Sequence, residues 1–250
     1  MDNSALVVGG TDLLAVSAYL FLGWRFSVRK VAPENTIPIL QFSAFWFALG
    51  LSTGVTAVES LWAVSSNPSL VTAVALYHLQ LFALCTALWG LVGYLSFLYF
   101  GRSYLLAVSA AYLLLYGVLL YYTSAAPAAG VTVMDGTVGV KYATAVAGPV
   151  ILLALVLLAV PVVGAILYFT LFFRTQDRTA RYRIALVSWG ILGFFGVGVI
   201  DLAARLGGGL VAVSLGAVLS LTPVAAILLA YYPPRAIRER LGVTGLEAAA

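Results

Sequence analysis

The sequence predicts an all-α membrane protein, a bundle of seven transmembrane helices with its N-terminus outside and its C-terminus in the cytoplasm, and three observations carry that expectation. The first is composition. Hydrophobic residues make up 63% of the chain and charged ones 9%, with a mean hydropathy of +1.06, whereas a soluble domain is about half apolar and a quarter charged. A water-soluble fold of this length is excluded, because nearly every helical face would need an apolar surrounding, which only lipid supplies. The second observation is the number of apolar stretches long enough to cross a bilayer. The third is where Lys and Arg fall between them.

A crossing needs about 20 mostly apolar residues, and seven segments qualify: Ala5 to Phe26, Ile37 to Trp62, Leu70 to Phe100, Tyr104 to Tyr122, Val146 to Phe173, Ile184 to Ala204 and Leu210 to Tyr232. The third and fifth are long enough to tilt or protrude. Connections are short except at 124–145, where VTV and VGV runs separated by Asp135-Gly136 read as a small β-hairpin with a primed turn, placed to lid the outer face. Together these form one domain over 1–235, followed by a short cytoplasmic tail, 236–250. The start MDNSALVVGG lacks the basic region of a cleavable signal peptide, so the first apolar stretch is expected to remain as helix one.

Orientation follows from the basic residues of short loops. Arg25, Arg29, Lys30, Arg102, Arg174, Arg178, Arg181, Arg183, Arg235, Arg238 and Arg240 fall on one side; Lys141 and Arg205 alone fall on the other. The first side is then cytoplasmic, and the protein is expected in the plasma membrane as a multi-pass chain. This placement accounts for the net charge of +4 without a nucleic-acid partner.

Internal similarity predicts a three-plus-one-plus-three repeat. LLAVS from Leu13 pairs with LLAVP from Leu157, WFALG from Trp46 with WGILG from Trp189, and Glu59 with Asp201, at a nearly constant offset. Short matches in so apolar a chain are also cheap by chance.

Ionisable groups inside spans cost on the order of 2.5 to 3.5 kcal/mol at a helix centre, so they tend to face protein or water and mark function. Asp12, Glu59, His78, Asp201 and Arg205 all fall in the outer half of the expected bundle. Asp201 and Arg205, four residues apart, can also satisfy each other along one helix face, and acids near a boundary can be solvated there. Glu59 and His78 lie on consecutive helices. Carboxylates beside an imidazole would suit a cation, a polar ligand or a proton. Trp46 and Trp189 lie deeper than the other tryptophans and are candidates to line a pocket, whereas Trp24, Trp62, Tyr121, Tyr122, Tyr231 and Tyr232 fit an interfacial belt. Small residues in GILGFFGVG, Gly190 to Gly198, permit close helix contact, within the bundle or across a homodimer. Pro161 and Pro223 are expected to kink helices five and seven.

Several chemistries are not expected. Cys85 is the single cysteine, so neither a disulfide nor a CxxC zinc or redox motif exists. His78 is the single histidine, which excludes bis-histidine haem and leaves no HxxxH or ExxH spacing for a catalytic metal. No nucleophile and base pair stands out, so the chain does not read as an enzyme. Whether a metal or a non-covalent chromophore binds stays open.

Seven helices with this orientation resemble the microbial rhodopsins, but those attach retinal to a lysine in the last helix, and the lysines here are Lys30 and Lys141 alone. Covalent retinal is therefore not expected. A long helix three ending WGLVGYLSFLYFGR, an outer hairpin, a basic FFRTQDRTARYR loop and a terminal YYPPR resemble the seven-helix N-terminal sensor region of bacterial histidine kinases, over roughly Leu13 to Arg235. That resemblance, one of topology and loop style, implies a receptor that senses through the bundle and signals to a cytoplasmic partner through the basic fifth loop and the tail. The residues after Arg235 are too few for a kinase domain. The three-plus-one-plus-three order also resembles the SWEET and PQ-loop carriers, although PxxQ at Pro38 to Gln41 lacks their adjacent Pro-Gln. The expected function is accordingly a sensor of a small ligand, ion or proton bound in the outer half around Glu59, His78, Asp201, Arg205, Asp12, Trp46 and Trp189. The alternative is a small-solute carrier.

Overall fold

The structure is a computed structural model that describes residues 3–29, 32–63, 69–125, 128–134, 137–142, 144–207, 219 and 221–241. Helix α1 spans Asn3–Ser27, and a 3-10 turn at Pro33–Asn35 leads into α2, Thr36–Ala63. Then come α3 (Leu70–Phe100), α4 (Arg102–Ala125), strands β1 (Ala128–Met134) and β2 (Thr137–Tyr142), α5 (Thr144–Arg174), α6 (Arg178–Gly207), α7 (Leu221–Tyr231) and α8 (Arg235–Leu241). The fold is all-α apart from the one hairpin. Among the described residues three helices are long and apolar enough to cross a membrane by length and composition: Thr36–Trp62, Leu70–Phe100 and Arg102–Ala125.

Local chemistry sets the helix ends. The Ser69 hydroxyl accepts from the Thr72 amide at 3.1 Å and caps α3. Gly101, at φ 75°, breaks the chain between α3 and α4 in a conformation that disfavours residues with a Cβ. Asp177 accepts from the Thr179 and Ala180 amides at 3.3 and 2.8 Å, so α6 begins at Arg178. The stretch read as a basic loop thus shrinks to Thr175–Asp177. Arg178, Arg181 and Arg183 ride on the first turns of α6, where long side chains carry their charge outward from a helical backbone. After Pro233 and Pro234, which cannot continue α7, the Pro234 carbonyl accepts from the Ile237 and Arg238 amides and starts α8 within what reads as a plain tail.

The hairpin pairs β1 and β2 antiparallel, from Ala128 opposite Tyr142 to Met134 opposite Thr137, and rests against α2 and α3. Its Asp135-Gly136 turn lies outside the described residues, as does most of helix seven before Leu221. Chain continuity through Pro161 and Pro223 is helical.

Helix packing runs α1–α2–α3–α5–α6–α7 and closes back on α1, with α4 in the crook between α3 and α5. The interior is aromatic: Tyr19, Phe26, Phe42, Phe45, Trp46 and Tyr94 join Leu22, Leu91, Val187 and Ile227 in one buried cluster. Polar contacts between helices include Ser43 donating to the Gly23 carbonyl at 2.7 Å, which holds α2 to α1. Gly190 lets α7 approach, since a Cβ there would stand 2.9 Å from Ile227. The perimeter is apolar. Val71, Leu106, Leu114, Phe173 and Trp189 are each at least 70% exposed, while Asp12, Gln41, Ser43, Glu59 and Ser60 are buried. That inversion of the soluble pattern is what lipid contact requires.

Candidate functional site

Polar groups gather at two ends of the bundle. At the end carrying the N-terminus, Gly9 of α1 faces Leu61 and Ala57 of α2, so Asp12, one turn along, lies within a turn of Glu59 in depth. Both carboxylates are buried, at 7% and 6% exposure, and both have interaction partners. On the other flank the Gln80 amide of α3 donates to Thr56 of α2 at 2.7 Å. That bridge sets Glu59 and His78, each within a turn of it, at a common depth. His78 Nδ1 lies 2.8 Å from the Val74 carbonyl and donates to it. Nε2 is buried with no hydrogen-bond partner among the described residues, and so is the hydroxyl of Ser60. The ring of Tyr77 stands edge-on to His78 at 5.6 Å.

The remaining sequence-derived candidates separate. Asp201 and Arg205 occupy the last turns of α6, and their side chains lie outside the described residues. Trp46 is 1% exposed and Trp189 is 70% exposed. Trp46 is packed by Tyr19 and Phe42 at 5.8 Å and by Phe45 at 4.7 Å, so it seals the interior and lines no cleft described here. Trp189 lies on the perimeter. The two tryptophans that the repeat pairs thus sit in opposite environments.

The arginine-rich end holds a polar arrangement that the sequence reading did not single out. Phe42 stacks on Tyr94 at 4.1 Å, Phe26 meets Tyr231 edge-on at 5.0 Å, and the hydroxyls of Tyr94 and Tyr231 hydrogen-bond to each other. Arg29 lies over the Tyr231 ring at 5.2 Å and Arg25 over Tyr232 at 4.6 Å. Tyr182 of α6 donates to the Leu229 carbonyl at 3.0 Å. The end of α7 is therefore tied to α1, α3 and α6 at once. Beside it opens a cleft of about 480 Å³ lined by Arg29, Asn35, Tyr94, Tyr168, Asp177, Arg183 and Tyr231, among others. The signal in sequence was faint: a Tyr-Tyr pair ahead of Pro-Pro, and arginines one turn from helix ends, both of which also fit an interfacial belt.

Two further clefts, of about 360 Å³ between α3, α4 and α5 and about 400 Å³ between α1, α2 and α3, are lined almost entirely by apolar side chains. Neither includes Asp12, Glu59 or His78. Among the described residues no three His, Cys, Asp or Glu side chains gather to hold a metal ion. Comparison with protein-family models finds no match for this chain, and no curated protein matches it either.

Proposed function

We propose that the chain is a seven-span receptor or sensor module of the plasma membrane, N-terminus outside, that binds a small ligand or ion among Asp12, Glu59 and His78 and passes the signal to a cytoplasmic partner. The observation that carries this reading is the aromatic layer of Tyr19, Phe42, Phe45 and Trp46, buried between the polar groups of one end and the arginine-lined cleft of the other. An aromatic-filled interior among the described residues suits a device that transmits strain rather than solute, and α7, tied to α1, α3 and α6, leads directly into α8. Sidedness rests on the distribution of Lys and Arg, which favours a cytoplasmic position for the arginine-rich end. The buried Nε2 of His78 and hydroxyl of Ser60 supply two polar atoms to a ligand that reaches them.

The test is native mass spectrometry and an absorption spectrum of the purified protein, with melting compared among wild type, Glu59→Gln and His78→Ala. A bound species present in wild type and absent from both variants is the expected result. An empty protein whose variants melt like wild type reduces these residues to structural polar groups. Flux of the identified species into proteoliposomes would replace the sensor with the carrier reading, for which Pro161 and Pro223 in α5 and α7 supply the flexible helices.

A further inference from the structure

We infer that the cleft at the arginine-rich end is a binding site for a phosphate-bearing anion, either the headgroup of an anionic lipid or a soluble phosphate compound. It uses none of the residues of the sensor site and stands independently of that reading.

Charge is the first reason. Arg29 reaches the cleft from the link between α1 and α2, and Arg183 from α6. Asp177 is the acid that shares it, but both of its carboxylate oxygens are engaged by the Thr179 and Ala180 amides. Its charge is thereby offset by the amino end of α6. Among the described residues Arg183 has no carboxylate within ion-pair distance. Arg183 stands a turn and a half into α6, half-buried on the lining of the cleft.

Geometry is the second. Arg29 is held over the face of Tyr231, which fixes its charge at the cleft, and the planar fork of Arg183 on the same lining suits two oxygens of a phosphate. Tyr168, from α5, and the Asn35 amide add neutral donors to the same lining. The volume, about 480 Å³, falls in the range that small-molecule sites occupy. The two apolar clefts have no cation among their lining residues, so the selectivity belongs to this end of the bundle.

The experiment uses the full chain in nanodiscs and has two arms. In phosphatidylcholine doped with phosphatidylglycerol, native mass spectrometry of the released protein reads which lipid is retained. In phosphatidylcholine alone, inorganic pyrophosphate is titrated and the melting temperature is followed. Wild type is expected to retain phosphatidylglycerol above its share of the bilayer, or to be stabilised by pyrophosphate, and the arm that responds identifies the source. Arg183→Gln should weaken the response about tenfold, the loss of one charge-assisted hydrogen bond, and raising the salt should weaken it further. Arg178→Gln, exposed at the start of the same helix, should leave it unchanged. Where Arg183→Gln does not fold, Arg183→Lys keeps the charge, removes the fork and should still bind several-fold more weakly. No response in either arm, or equal responses from wild type and both Arg183 variants, overturns the site.

Discussion

Helices α3 and α4 are consecutive, both long and both apolar, yet they are used in different ways. Of the most apolar stretch of α3, 61% is buried, against 28% for α4. In α3 every residue from Leu91 to Ser96 is buried, so the helix is enclosed on all sides there. In α4 the buried residues are Leu105, Ser109, Tyr112, Tyr116, Leu119 and Thr123, alternately four and three apart, which is one stripe along a helix. Leu106, Leu113, Leu114 and Val118, which lie between them, are exposed. Hydropathy does not distinguish the two helices, because lipid is as apolar as leucine and confers no penalty on an outward Leu. Small residues do. Gly90 and Gly93 of α3 form a notch that admits α2, and the Gln41 side chain crosses over Gly93 so that its amide reaches the Ser109 hydroxyl of α4 at 3.4 Å.

That contrast breaks most sharply at the notch. A Cβ on Gly90 would stand 2.5 Å from the Gln41 carbonyl oxygen and 3.0 Å from the Phe45 amide nitrogen, backbone atoms that cannot swing away. Gly90→Ala should therefore cost about 3 kcal/mol, the upper part of the overpacking range, read as a lower midpoint in denaturant titration of the purified protein. Gly117→Ala in α4, where nothing lies within 4 Å, should be neutral or stabilise by a few tenths up to about 1 kcal/mol, the helix-propensity gain of alanine. Equal losses from the two substitutions would contradict the different roles of these helices.

A smaller effect is expected where α3 holds α7. Tyr94→Phe removes one hydroxyl of the Tyr94 and Tyr231 pair while keeping the stack on Phe42, and should cost about 1 kcal/mol. Tyr231→Phe should cost a similar amount, and the double variant little more than either alone, since both remove the same bond. Strict additivity in that cycle would show that the two hydroxyls act separately. The smallest change belongs to the perimeter: Leu114→Ala, at a residue 73% exposed, should shift stability within about 0.5 kcal/mol. A larger loss there would mean that α4 meets another protein surface rather than lipid.

The helical segments were legible because length and hydropathy report directly on what can cross an apolar layer, and three of them meet that description in the structure. The hairpin was legible from alternating valines around Asp135-Gly136. Helix starts were less so: Asp177 caps α6 before Arg178, yet five charges in ten residues read as a loop. At the N-terminal end, Asp12 and Glu59 could be picked out as ionisable groups in apolar surroundings, and both are buried. At the opposite end, Tyr94, Tyr231, Arg29 and Arg183 were passed over because each of them alone also suits a membrane boundary. Only their convergence distinguishes them.

What the sequence determined by itself is one-dimensional: which stretches are apolar and long, where they break, and which end collects the arginines. These follow from the residues' own transfer free energies and backbone limits, which need no partner. Tertiary structure decided which face of each helix is inside, sending Trp46 to the core and Trp189 to the perimeter, and bringing side chains from the α1–α2 link, α2, α3, α5, α6 and α7 around one cleft. In lipid that choice is made by packing of small and aromatic residues and by pairing of a few polar groups. Both are properties of neighbours, and neighbours exist only once the chain has folded.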